Sequence, residues 1–90
     1  MKTGRFYRSG SVIAAGVELK IQTDHRRSDG REGWRGEAWL PTEACLIPGD
    51  RLRLEIDSEE TEEIEVVIDR VTVDSAAGRM LVRFSPLELP

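Results

Sequence analysis

The 90-residue chain reads as an all-β protein: a small antiparallel barrel of five or six strands, one of them long and bulged. Three observations predict it. A Pro-Gly turn at Ile47-Pro48-Gly49-Asp50 opens onto strict apolar/charged alternation, the run from Glu62 to Val73 changes phase partway along, and short extended segments recur between glycine-bearing turns. A two-sheet sandwich built from the same strands is the alternative.

In the second half, Pro48 pre-sets φ for the second position of a type II turn, and Gly49 accepts the positive φ at its third. Leu52, Leu54 and Ile56 then alternate with Arg51, Arg53, Glu55 and Asp57, which gives a strand with one apolar face. Ser58 to Glu63 reads as an acidic hairpin connection. Ile64, Val66 and Ile68 share one parity, whereas Val67, Val71 and Val73 share the other. A one-residue slip of that kind is what a β-bulge produces, so the spacing predicts a bend near Ile68 to Arg70. The Asp74-to-Gly78 turn leads into a last strand, Arg79 to Ser85, which carries Met80, Val82 and Phe84 and ends against Pro86; Leu87 to Pro90 is a tail.

The first half is less regular. Met1 to Gly4 reads as a loose end, Arg5 to Arg8 as a short strand or edge segment, and Ser9-Gly10-Ser11 as a loop. Val12 to Thr23 is extended, with Val17, Leu19 and Ile21 on one face, and Gly16 marks a bulge or bend inside it. Asp24 to Gly33 has no periodicity and two glycines, the pattern of an exposed loop. Trp34, Gly36, Ala38 and Leu40 then oppose Arg35, Glu37 and Trp39, so at least one tryptophan lies outside the core. Pro41 to Leu46 fits a single helical turn capped by Thr42. The expected core is Val17, Leu19, Ile21, Leu52, Leu54, Ile56, Ile64, Val66, Met80, Val82 and Phe84.

Ninety residues fit one domain, and an apolar share of 39% supplies a core. The single cysteine excludes an intramolecular disulfide and is expected to be a small buried hydrophobe. No apolar run reaches the roughly 18 residues of a spanning helix, and Arg5 and Arg8 interrupt any signal-like segment, so a reducing cytoplasm is the expected compartment. Charge is divided along the chain. Residues 1–36 hold eight basic and four acidic side chains, and the remainder five and thirteen, so +4 faces −8. A simple basic nucleic-acid binder does not look like this; a surface that pairs head to tail or offers a basic face to an anion does.

Catalytic and metal chemistry finds little support. His25 is the only histidine, which leaves no His-rich metal site, and it reads as an exposed loop residue beside Arg26 and Arg27. The acidic run from Asp57 to Glu65 lacks calcium-loop spacing and reads as a solvated hairpin tip whose charges discourage edge pairing. Gly30-Arg31-Glu32-Gly33 does not open onto a helix that would hold a phosphate. No enzyme, cofactor or metal is expected. The binding constellation is Arg26, Arg27, Arg31, Trp34 and Arg35: guanidinium donors for phosphate beside an indole on which a base can stack. The same residues also describe a solvated loop followed by a core tryptophan.

From Leu46 onward the chain resembles the second half of a PilZ domain, a six-stranded barrel that binds cyclic di-GMP. The resemblance lies in the Pro-Gly-Asp turn leading to Leu52-Arg53-Leu54-Glu55-Ile56, the Val/Ile-rich strand after it, and Val82-Arg83-Phe84-Ser85-Pro86-Leu87. That family reads its ligand through an Arg-x-x-x-Arg motif ahead of the barrel and a later Asp/Asn-x-Ser-x-x-Gly motif. Arg27-Ser28-Asp29-Gly30-Arg31 matches the first by letter but follows an extended segment; the second has no counterpart. Two functions from different classes follow: a non-catalytic module that binds a protein partner or self-associates, or a PilZ-like sensor that holds an anionic nucleotide such as cyclic di-GMP against the 24–35 loop.

Overall fold

In the computed structural model, which describes residues 2–24, 33–57 and 62–87, six strands close into an antiparallel barrel. They are β1 (Lys2–Arg8), β2 (Ser11–Asp24), β3 (Gly33–Pro41), β4 (Arg51–Asp57), β5 (Glu62–Asp74) and β6 (Arg79–Pro86), arranged β1-β2-β3-β6-β5-β4 with β4 returning to β1. The barrel is therefore shown and the sandwich excluded. Ser58 to Thr61, like His25 to Glu32, lie outside the described residues.

Alternation places the core as expected along β4 and β6: Leu52, Leu54, Ile56, Met80, Val82 and Phe84 are all buried. Val17, Leu19 and Val66 join them, whereas Ile21 and Ile64, near strand ends, are half-buried and pack against the core's margin. The centre also holds Phe6, Ala38, Leu40, Leu46 and Ile68. Phe6 meets Phe84 edge-to-face at 5.3 Å, and Trp34 meets the same ring at 6.2 Å.

The N-terminus is not a loose end. Lys2 to Gly4 pair with both β2 and β4, or with β2 alone in the case of Lys2, and Gly4 is buried because a side chain there would strike the Glu55 carbonyl and Leu19. A glycine in place of an apolar residue hides that inward position from a hydrophobicity pattern. Ser9 and Gly10 form a two-residue hairpin turn with positive φ at both. The bulge expected at Gly16 is present: Gly4 opposes Val17 and Phe6 opposes Ala14, one extra residue on β2, with Gly16 at φ 63°.

The β1–β2 register shifts again between Phe6 and Tyr7, which oppose Ala14 and Val12, and the bulge expected on β5 is where the phase change put it. Ile68 opposes Phe84 and Arg70 opposes Arg83, so Asp69 is the extra residue on β5. The turn at 47–50 locks onto it. Asp50 N donates to Ile47 O at 3.1 Å with Gly49 at φ 95°, as the type II reading requires; Gly49 N donates to Ile68 O and Ile68 N to Asp50 O, both at 2.8 Å. Asp50 Oδ2 accepts from Ile47 N at 3.0 Å and from Arg8 Nη2 at 2.9 Å, which ties β1 to the same turn.

Three boundaries differ from expectation. Asp24 and Gly33 are the paired ends of β2 and β3 rather than loop, β6 extends through Pro86, and Leu87 N adds a bond to Glu65 O at 2.8 Å. The helical turn expected after Pro41 is a 3₁₀ turn, Thr42–Ala44, but Thr42 lies inside it and its side chain does not cap; that hydroxyl reaches Gly78 O at 3.5 Å instead. Cys45 is exposed, not buried. The turn ends with Cys45 in the left-handed region at φ 51°, and this reversal buries Ala44 and Leu46 on either side while the thiol faces out.

Gly36 and Gly16 separate two glycine requirements. A Cβ on Gly36 would lie 2.3 Å from the Phe84 ring, which Phe6 and Trp34 hold in place, so Gly36→Ala is expected to cost about 1–3 kcal/mol through overpacking. Gly16→Ala meets no atom and costs only its left-handed backbone, about 1–2 kcal/mol. Denaturant midpoints measure both, and Phe84→Leu should relieve the first and leave the second unchanged. Likewise, Asp50→Ala should lose about 1–2 kcal/mol, while Arg53→Ala, whose ion pairs are half-exposed and 3.9–4.0 Å long, should change stability by less than about 0.5 kcal/mol.

Candidate functional site

A groove of about 660 Å³ runs across β2, β3, β6 and β5, its lining including Gly36 and Phe84. Strand register builds a row of charges along it. Lys20 opposes Glu37, Glu37 opposes Arg83, and Arg83 opposes Arg70, one residue from each of four adjacent strands. The signs run plus, minus, plus, plus. Arg83 Nε bonds Glu37 Oε1 at 3.1 Å, but among the described residues Arg70 meets no carboxylate. Like charges directly opposite each other across a strand pair cost roughly 0.2–1 kcal/mol.

The Asp69 bulge creates this cation pair. Ile68 and Arg70 have the same parity in sequence, which in an unbroken strand would aim both inward. The extra residue leaves Ile68 and Val71 facing the core and exposes Asp69 and Arg70. With Arg35 also on the groove wall, four cations face two anions, Glu37 and Asp69, a local excess of +2 on a chain of net charge −4.

Of the expected binding residues, Trp34 and Arg35 line one end of the groove, while Arg26, Arg27 and Arg31 lie outside the described residues. Trp34 is half-buried, its ring packed edge-on to Phe84, and Arg35 is exposed. Lys20, Arg70 and Arg83 were missing from the expected set. Their convergence depends on pairing between strands distant in sequence, and only the phase change after Ile68 signalled that Arg70 turns outward.

Trp39 is the tryptophan outside the core, 44% exposed, with the Arg79 guanidinium 4.1 Å from its ring centroid. It borders a smaller hollow of about 380 Å³ with Ala15, Gly16 and Pro41. Among the described residues no group of three His, Cys, Asp or Glu side chains gathers to hold a metal, and no helix is long and apolar enough to cross a membrane. No family model matches the chain, and no curated protein or solved structure matches it significantly.

Proposed function

We propose that the chain is a non-catalytic binding module that docks an acidic segment of a protein partner in the β2-β3-β6-β5 groove. The observation that carries this reading is the Arg70–Arg83 pair: two guanidiniums on adjacent strands, one of them without a carboxylate among the described residues, at the end of a basic groove on an acidic chain. A carboxylate bridging them would relieve their repulsion and supply charge-assisted bonds. The lone thiol at Cys45, exposed and unbridged, suits a reducing compartment, and a cytoplasmic location is part of the proposal.

A second reading, an anionic nucleotide such as cyclic di-GMP, is favoured by one observation. The segment carrying Arg26, Arg27 and Arg31 leaves β2 after Asp24 and enters β3 at Gly33, and Gln22, Trp34 and Arg35 near those ends line the groove. The Arg-x-x-x-Arg letters of the PilZ resemblance fall in that segment.

An NMR titration with an oligoglutamate peptide and, separately, with cyclic di-GMP distinguishes them. Oligoglutamate is expected to shift the amides of Lys20, Glu37, Arg70 and Arg83, and replacing both Arg70 and Arg83 by Gln should weaken it more than tenfold, since each charge-assisted bond contributes about 1.5–3 kcal/mol. Shifts confined to residues 24–35 with the nucleotide favour the sensor; no shift at millimolar peptide overturns the acidic-partner reading. Arg70→Gln alone should leave the denaturant midpoint unchanged or slightly raised, because it removes a like-charge contact.

A further inference from the structure

We infer that the far end of β5 is a self-pairing edge: Arg70 to Asp74 bind the same stretch of a second copy, antiparallel, about a two-fold axis at Thr72. This edge is separate from the groove, so each reading can fail without the other. On the side away from β6, the neighbour of β5 ends early. β4 pairs with it up to Val67, the turn at 47–50 takes the amide and carbonyl of Ile68, and among the described residues no backbone bond reaches β5 from that side beyond Ile68. Arg70 to Asp74 remain paired with β6, which holds them extended. Ile68 directs both its backbone groups away from β6, and Asp69 is one extra residue, so the alternation resumes with Val71 and Val73 directing theirs outward. Val73 is in addition 59% exposed, an apolar side chain in the open.

The order of residues along this edge says what covers it. Arg70-Val71-Thr72-Val73-Asp74 is complementary to its own reverse: a two-fold at Thr72 sets Arg70 against Asp74 of the second copy, Val71 against its Val73, and Thr72 against its counterpart. Each contact then occurs twice, and Val71 and Val73 exchange their outward backbone bonds across the axis. The contact is isologous, so the assembly closes at two, with one sheet running β6-β5-β5-β6 through both copies. Arg70, which meets no carboxylate among the described residues, gains one. Asp74 holds the Ala77 amide with Oδ1 at 3.3 Å, and among the described residues nothing holds its Oδ2. Trp39 to Pro41, likewise paired on one side only, lack this fit, because the stretch is shorter and Pro41 has no amide to donate. A single strand pair falls short of the roughly 1,200 Å² of a stable interface, so the dimer should form at about 0.1–1 mM.

Amide hydrogen exchange and sedimentation equilibrium of the full chain, across and below that range, test this. With rising concentration the Val71 and Val73 amides should slow by about tenfold or more, while the Thr72 amide, directed at β6, stays protected throughout. Arg70→Asp alone and Asp74→Arg alone each set like charges against each other twice and should weaken association roughly tenfold. An equimolar mixture of the two should recover it, since every basic side chain then faces an acidic one in the mixed dimer. Val73→Pro removes an outward amide and leaves the bonds to β6, so it should give a monomer with an unchanged strand spectrum by circular dichroism. If Asp74→Arg loses that spectrum along with its Ala77 contact, Val73→Pro and the exchange rates decide. A monomer at the top of the range, Val71 and Val73 amides whose exchange does not change with concentration, a mixture of folded variants that does not recover, or a Val73→Pro chain that still dimerises overturns the inference. Oligoglutamate shifts at Lys20 and Arg83 without a dimer remove the edge and leave the groove; a dimer without those shifts does the reverse.

Discussion

One inserted residue, Asp69, governs both the interior and the exterior of this barrel. Without it, β5 would present Ile68 and Arg70 to the same side, and either a guanidinium would enter the core or an isoleucine would leave it. Burying an unpaired charge costs far more than the local loss of pairing at a bulge. The insertion therefore lets Val66, Ile68 and Val71 all face the core while Arg70 turns out beside Arg83. Its position is fixed from outside the strand, because the Gly49 amide and the Asp50 carbonyl bond to the backbone of Ile68 immediately before it. The core, the turn at 47–50 and the groove are consequently one mechanical unit.

The charge division along the sequence takes on a different meaning in the fold. Strand β1 brings Arg5 to Glu55 and Asp57, and Arg8 to Asp50, so part of the contrast between the basic residues 1–36 and the acidic remainder is satisfied across the β1–β4 seam. Exposed pairs of this kind contribute about 0–1 kcal/mol each, too little to hold a strand alone. Phe6, with no exposed surface, contributes most to holding β1 in place, and its register on β4 sets Arg5 opposite Glu55. Away from that seam, Lys20, Arg70 and Arg83 line the groove across β2, β3, β6 and β5.

Much of this was legible in the sequence where side-chain alternation is strict. Arg51 to Asp57 and Arg79 to Pro86 declare their faces residue by residue, and the bulges at Gly16 and Asp69 announce themselves as an interrupting glycine and a change of phase. Illegible were the positions where no apolar side chain marks the inward face. Gly4 and Gly36 are inward because neighbouring backbone and the Phe84 ring occupy the space a Cβ would need, and a hydropathy pattern registers neither. Cys45 misled for a related reason: its residue type favours burial, but the left-handed backbone that ends the 3₁₀ turn sends it outward. Only Trp34 and Arg35 of the expected binding residues belong to the groove as described, because the row from Lys20 to Arg70 exists only through pairing across four strands.

Closure of the barrel also restricts how the protein can bind anything. Each strand has a neighbour on both sides, though not over its whole length: Trp39 to Pro41 of β3 pair with β6 and not with β2, and Arg70 to Asp74 of β5 pair with β6 and not with β4. Most of the remaining surface available for binding is side chains on the outer faces. There, apolar groups are sparse, and the distinguishing feature is the order of signs across adjacent strands. In such a surface the affinity of any single contact is modest and screened by salt, whereas the sequence of charges discriminates among ligands, because a misplaced one sets like against like at several positions at once. The unbalanced step from Arg83 to Arg70 is then the point of greatest discrimination, since it is where the barrel leaves its own row of charges incomplete.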